Sequence, residues 1–370
     1  MKEYKIGNNE EGQRLDKLLV KILNQATKGF IYKMLRKKNI TLNNKKATGN
    51  EILKSDDVVK IFLSDETFDK FSKSISSSDF CYKIENGNED KNKVCRNNVE
   101  KNNRSLDKKS NVLNKSVKLN IIAETKDYMI INKPVGMLSQ KAKDSDVSLV
   151  EYIIAYMLEK GEIDDNQLKT FKPSVCNRLD RNTSGLIIAG KSLIGLQKMT
   201  EYIKNRDIDK YYLALVKGKV DKDDKIDGYL VKDSRTNKVR IVNNKIIKEN
   251  KKGNSVNEQK LDYIRTEYAP VDYNDEYTLL KVKLITGKTH QIRAHLASIN
   301  HPLIGDYKYG DKKLNDRFKK KYKLESQLLH SYEVIFHNND EDVLNVKSKV
   351  YQAEMDDIFK NVVKSLGLKI

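Results

Sequence analysis

Between residue 66 and about residue 116 the chain is dense in Lys, Asn, Ser and Asp, with few apolar residues and no period. A segment of that kind cannot bury enough surface to offset the entropy of ordering it. It cannot lie inside a core, so it divides the 370-residue chain into two parts that fold. The predicted organisation is a compact unit over 11–64, a low-complexity flexible linker over 65–117 and a larger unit over 118–370.

In the first unit Leu15, Leu18, Leu19 and Ile22 recur at helical spacing. A second helix over about Lys28 to Lys38 turns Phe30, Ile31, Met34 and Leu35 inward and leaves Lys28, Lys33, Arg36, Lys37 and Lys38 outside. Short strands follow at Ile40–Leu42 and Val58–Phe62. In the larger unit, strands are predicted at Tyr128–Asn132, Leu186–Ala189, Tyr211–Val216, Thr278–Leu284 and Glu333–Phe336, with a helix over about Ser192 to Asn205. Strand-rich stretches with a few helices predict an α+β fold around a mixed, mainly antiparallel sheet. The polar run from Lys245 to Gln259 reads as a surface loop between strands.

The formal net charge is +19, which makes polyanions the natural partners, nucleic acid before an anionic membrane surface. No basic amphipathic helix with aromatic anchors stands out. No apolar stretch approaches the roughly 20 residues that span a bilayer, and the first five residues lack the apolar core of a signal peptide. Three scattered cysteines (Cys81, Cys95, Cys176) form neither a disulfide framework nor a metal-binding pair, which fits a reducing cytoplasm. All five histidines lie between His290 and His337 without zinc-protease spacing, so no metal site is expected. Gly287-Lys288-Thr289 would end a phosphate-binding loop only with glycine at position 282, where Val282 stands.

The chemistry concentrates in Asn177-Arg178-Leu179-Asp180-Arg181-Asn182-Thr183-Ser184-Gly185-Leu186-Ile187, where one carboxylate stands between two arginines ahead of a Thr-Ser-Gly turn and an apolar strand. A carboxylate flanked by cations beside a turn can serve as nucleophile or base. The run resembles the catalytic motif of the RluA/RluC/RluD family of RNA pseudouridine synthases, His-Arg-Leu-Asp-x-x-Thr-Ser-Gly. Three more segments resemble the same family in the same order: Asn132–Met137, Lys210–Gly218, and Leu284–Leu296 with the downstream His301–Asp306. In the first unit, Arg14–Leu19, Ile31–Asn43 and Asp56–Val59 resemble an S4-like RNA-binding domain. There Arg14-Leu15-Asp16 repeats the triplet without the turn, and Asp16 is expected to serve a helix N-terminus.

The resemblance implies isomerisation of a uridine already in RNA, with no metal or redox cofactor. The C–N glycosidic bond breaks, uracil turns, and a C–C bond forms at carbon 5. Asp180 is then the catalytic carboxylate, acting on sugar, base or the 2′ proton. Arg293 is its ion-pair partner. Tyr212, chosen over Tyr211 by the Lys-x-Tyr spacing and by strand alternation, stacks on the base and takes the carbon-5 proton. Arg178, Lys288 and His290 are expected to contact RNA, as are Lys28, Lys33, Arg36 and Lys37 on the small unit. Large-subunit ribosomal RNA is the substrate that the resemblance implies, handled by a cytoplasmic monomer with no membrane contact. Asn177 replaces the family's His and Lys288 its Arg. A non-catalytic RNA-binding or ribosome-assembly factor would use the same scaffold. A carboxylate-pair glycosidase would need a second acid beside Asp180, where cations stand instead.

Overall fold

The computed structural model describes residues 1–7, 9–72, 118–232, 238–242, 262–337, 344, 346 and 349–370. Residues 73–117 of the predicted linker and the predicted loop at 245–259 lie outside the described residues.

The small domain runs β1 (Lys2–Lys5), α1 (Leu15–Ile22), α2 (Lys28–Arg36), β2 (Ile40–Leu42), β3 (Lys45–Lys46), β4 (Val58–Ile61) and α3 (Asp65–Phe71). Its sheet order is β1-β4-β2-β3, all antiparallel. α1 buries Leu15, Leu18, Leu19 and Ile22 as their spacing predicts. Thr27 caps α2 by accepting from the Phe30 N–H, and Ile31, Met34 and Leu35 face the core. Asp16 accepts two hydrogen bonds from Arg14 and one from the Tyr32 hydroxyl, so the first Arg-Leu-Asp triplet is a local brace.

Both expected boundaries of this domain shift. β1 precedes residue 11 and pairs along β4; its Lys-Glu-Tyr-Lys composition hides it, because an edge strand with exposed faces needs no apolar alternation. α3 occupies the start of the predicted linker. Ser64 caps it, Phe68 is buried, and the Phe71 ring lies 4.3 Å from that of Phe30. Two phenylalanines in seven residues supply the apolar surface that the rest of that segment lacks.

The large domain runs β5 (Ile121–Glu124), β6 (Tyr128–Lys133), α4 (Leu149–Glu159), α5 (Asp165–Thr170), β7 (Ser174–Val175), β8 (Ser184–Gly190), α6 (Leu193–Asn205), β9 (Ile208–Lys217), β10 (Asp224–Lys232), β11 (Val239–Val242), β12 (Asp262–Tyr273), β13 (Tyr277–Leu284), α7 (Gln291–Ser298), α8 (Lys312–Tyr322), β14 (Leu329–Phe336), β15 (Val350–Gln352) and α9 (Asp357–Ser365). Among the described residues, eleven strands form one sheet in the order β11-β10-β12-β13-β9-β14-β8-β6-β5, with β15 on β14 and β7 on β8. Among the described strands only β8 and β14 pair in parallel, so the sheet is mixed and mainly antiparallel. Alternation along β9 sorts the layers. Tyr212, Ala214 and Val216 pack with residues of α4 and α7, whereas Leu213 and Leu215 pack with residues of α8 and α9. α1 lies against α5, and the Thr170 hydroxyl donates to the Glu10 carboxylate, so the small domain docks on the large one.

The Thr-Ser-Gly turn has a packing reason. Gly185, with φ at +110°, pairs with Ser331 where β8 runs parallel to β14. A Cβ there would sit 2.2 Å from the Ser331 carbonyl oxygen. Only glycine tolerates both the dihedral and the approach. Gly185→Ala should therefore destabilise the protein by on the order of 3 kcal/mol, read from the urea midpoint, because the backbone of β14 must move.

Candidate active site

The loop 177–183 that leads into β8 carries Asp180, and neighbouring loops fix it on several sides. Asn177 Oδ1 accepts from the Ile188 N–H at 2.8 Å and its Nδ2 donates to the Leu186 carbonyl at 3.4 Å, which ties the loop to the strand it precedes. The Ser139 hydroxyl bonds both backbone groups of Leu179, at 2.9 and 3.0 Å. Lys133 is fully buried and donates to the carbonyls of Pro134, Met137 and Arg181 at 2.9, 2.9 and 3.3 Å. Burial pushes the Lys133 amine down to about 7, with the nearby Asp180 carboxylate acting the other way. The 133–137 turn and the Asp180 loop are thus one bonded unit.

The cations beside Asp180 in sequence are not its partners. Arg181 Nε donates to the Gly136 carbonyl at 3.0 Å, and Arg178 is exposed and makes no ion pair among the described residues. The partner is Arg293 on α7, whose Nη1 donates to Asp180 Oδ2 at 2.8 Å. The rest of that guanidinium is occupied by Asp306, which takes Nε at 2.7 Å and Nη2 at 2.9 Å. Asp306 is 1 % exposed and also accepts from the backbone N–H groups of Lys308 and Tyr309. Burial pushes its carboxyl up, but Arg293 and those N–H groups outweigh it and leave it below the usual range. Asp306 therefore aims Arg293 through a planar two-bond fork, which lysine could not reproduce.

His290 stands on the other side of the same oxygen. It caps α7 in the left-handed region, φ 54°, with Nε2 3.8 Å from Asp180 Oδ2. Its tautomer follows from bonding logic. The Tyr309 hydroxyl accepts from the Val239 N–H at 3.0 Å, so its own hydrogen goes to His290 Nδ1, 3.0 Å away. A neutral His290 then carries its proton on Nε2, facing the carboxylate. Burial lowers the His290 pKa, which keeps the ring neutral near neutral pH. Both neighbours address Oδ2, while Oδ1 takes no protein hydrogen bond among the described residues. Oδ1 of this half-buried carboxylate is left open.

Tyr212 is 4 % exposed on the face of β9 that packs with α4 and α7, within electrostatic range of Asp180. Burial pushes its phenol up to about 12, so it is protonated at neutral pH. Tyr211 faces the opposite side, its ring between Lys281 and Lys283. Lys288 is bonded to Asp262 at 2.8 Å. Lys28, Lys33, Arg36 and Lys37 are exposed on and just after α2, and none makes an ion pair among the described residues. His295 is buried against the Thr266 hydroxyl and serves the packing of α7. Sequence reasoning gave no role to Asp306, Tyr309, Lys133 or Ser139. The Gly305-Asp306 pair followed by Tyr309-Gly310 was the available signal for two of them.

The family model for RNA pseudouridylate synthase matches residues 127–298, and that for the S4 domain matches 13–59. An uncharacterised RNA pseudouridine synthase of Mycoplasma capricolum is 30% identical over 86% of this chain and 88% of its own length. The ribosomal large subunit pseudouridine synthase C of Buchnera aphidicola is 28% identical over 98% of this chain and 96% of its own length. Among solved structures, human RNA pseudouridylate synthase domain containing 4 matches with TM-score 0.52 and 20% identity, over 68% of this chain and 94% of that one, a likeness of fold. The chain belongs to the RNA pseudouridine synthase family, joined to an S4 domain, and its reaction is isomerisation of uridine in RNA. No helix among the described residues is long and apolar enough to cross a membrane.

Asp306→Asn should cost about 3–5 kcal/mol at pH 7 by leaving part of a buried guanidinium unpaired. The folded pKa of Asp306 lies below its unfolded value, so the pair's contribution is complete above about pH 4 and fades as pH falls below it. Urea unfolding at pH 7 and pH 3.5 should show the gap between wild type and variant narrowing in acid.

Proposed function

We propose that this enzyme converts uridines of large-subunit ribosomal RNA to pseudouridine, with Asp180 as the catalytic carboxylate. The supporting observation is the Arg293 guanidinium, which holds Oδ2 of Asp180 and leaves Oδ1 open. The ribosomal assignment draws on relatives named as large-subunit synthases C and D. The target uridine leaves its stack to reach Oδ1. Asp180 starts glycosidic cleavage, at the sugar, the base or the 2′ proton. Uracil turns, carbon 5 bonds to carbon 1′, and the carbon-5 proton leaves last. Tyr212 presents a flat neutral ring for stacking on the freed base; its role as base requires its own proton to move first.

Arg178, exposed beside Asp180, contacts the RNA or fills the space of the flipped base, and His290 contacts the same nucleotide from α7. Lys28, Lys33, Arg36 and Lys37 bind phosphates through α2. Lys288 meets RNA only by exchanging Asp262 for a phosphate. The residues assigned to the site all come from one chain, which supports a monomer.

Tritium release from carbon 5 of labelled uridine in ribosomal RNA transcripts tests this reading. Asp180→Asn should lower release by about a thousandfold or more with RNA affinity retained. Tyr212→Phe should keep binding and lose release if the phenol is the base; release near wild type would restrict Tyr212 to stacking. Binding by the wild type without release from any transcript would favour a ribosome-assembly factor on the same scaffold.

A further inference from the structure

In the large domain, α8 carries a dense positive charge that the fold leaves without a counterpart among the described residues. Lys312, Lys313, Arg317, Lys319, Lys320 and Lys321 are all exposed on its eleven residues. None of the six makes an ion pair among the described residues, whereas Lys160, Lys191, Lys217, Lys281 and Lys283 elsewhere in this domain all do. The helix has one carboxylate, Asp316, and that accepts from the Tyr307 hydroxyl at 2.9 Å.

This arrangement opposes the helix itself. Lys313 and Arg317 are four apart, as are Arg317 and Lys321, and like charges at that spacing repel. Lys312 and Lys313 sit in the first turn, where the helix dipole disfavours cations and which holds no acid of its own; the Asp311 cap is paired with Lys217. The inner side is held by Leu314 and Phe318 packed beneath Leu213 and Leu215. Packing therefore fixes the helix, and its outer side awaits negative charge from elsewhere.

Position adds to charge. α8 lies on the face of the sheet opposite Tyr212. It starts directly after the 306–310 turn that aims Arg293, with Asp311 as its cap. Tyr307, 39 % exposed, joins turn and helix through its bond to Asp316. From that turn the cations extend for about 16 Å at the ordinary helical rise.

We propose that α8 is a second RNA-contact surface, which binds the phosphates of a segment remote from the target uridine on the reverse face of the sheet. This rests on the RNA-modifying reading above. The stripe Lys313, Arg317 and Lys320, spaced four and three apart, presents three cations in line to a backbone.

The test uses the full chain with Lys313→Gln, Arg317→Gln and Lys320→Gln combined, and a control that removes the same charge at exposed Lys126, Lys222 and Lys225. Affinity for a structured large-subunit ribosomal RNA transcript is measured by fluorescence anisotropy from 50 to 300 mM salt. The α8 variant should bind about tenfold more weakly, and the slope of log K against log salt should fall by about two, since each phosphate contact contributes about 0.7–0.9. The control should keep its slope, a short oligouridine should bind both variants like wild type, and the α8 variant should melt no lower than wild type, since like-charge repulsion on the helix is relieved. An α8 slope no smaller than the control's overturns the proposal and leaves the face to an acidic protein. Binding is read without turnover, so a wild type that binds but never releases tritium would sink the catalytic reading and not this one.

Discussion

The Arg293 guanidinium is the joint on which the site turns. It reaches Asp180 from a helix 113 residues further along the chain and spans two carboxylates at once. A charge buried to this degree is tolerable only when every donor has a partner. Asp306 and Asp180 together take one hydrogen bond from each of its three nitrogens, with the Tyr309 ring 5.3 Å from the guanidinium carbon. The fold's long connections make sense in this light. β8 brings the Asp180 loop, α7 brings Arg293 and His290, and the 306–310 turn brings Asp306 and Tyr309 from behind the same helix. Removing any one of these groups leaves a charge or donor stranded in low dielectric.

Much of this was legible in the residues. The strands at 128–132, 186–189, 211–216, 278–284 and 333–336 announce themselves by apolar runs and alternation, and each lies within an observed strand. Helix α6 and the two helices of the small domain follow from spacing in the same way. Tyr211 and Tyr212 lie on opposite sides of β9, as alternation along a strand requires. What stayed hidden has physical causes. β1 is polar because its edge position requires no buried face. α3 reads as linker because its signal is two phenylalanines and a serine cap in seven residues.

The charge that stands next to Asp180 in sequence is more instructive. Arg178 and Arg181 flank Asp180 in sequence, yet neither pairs with it, because successive side chains in a turn point in different directions. Arg181 is directed to a carbonyl of the 133–137 turn, and the true cation arrives through tertiary structure. Lys133 was recognised as part of a motif but not as a buried clamp; three carbonyls converge on it only after two loops have met. Asn177, a departure from the family's usual His, holds two backbone groups of β8 and so has structural work of its own.

The bonds around Asp180 are closed without any nucleic acid present. Tyr309 already orients His290, Asp306 already orients Arg293, and Lys133 already joins the two loops. A carboxylate held in this way needs no part of the protein's affinity for RNA to be oriented. That free energy is available instead for the costly step on the substrate's side, prising one nucleotide out of a folded helix. The rigidity of a guanidinium between two acids would then be felt as reach into structured RNA, a property measured on the substrate and determined within the protein.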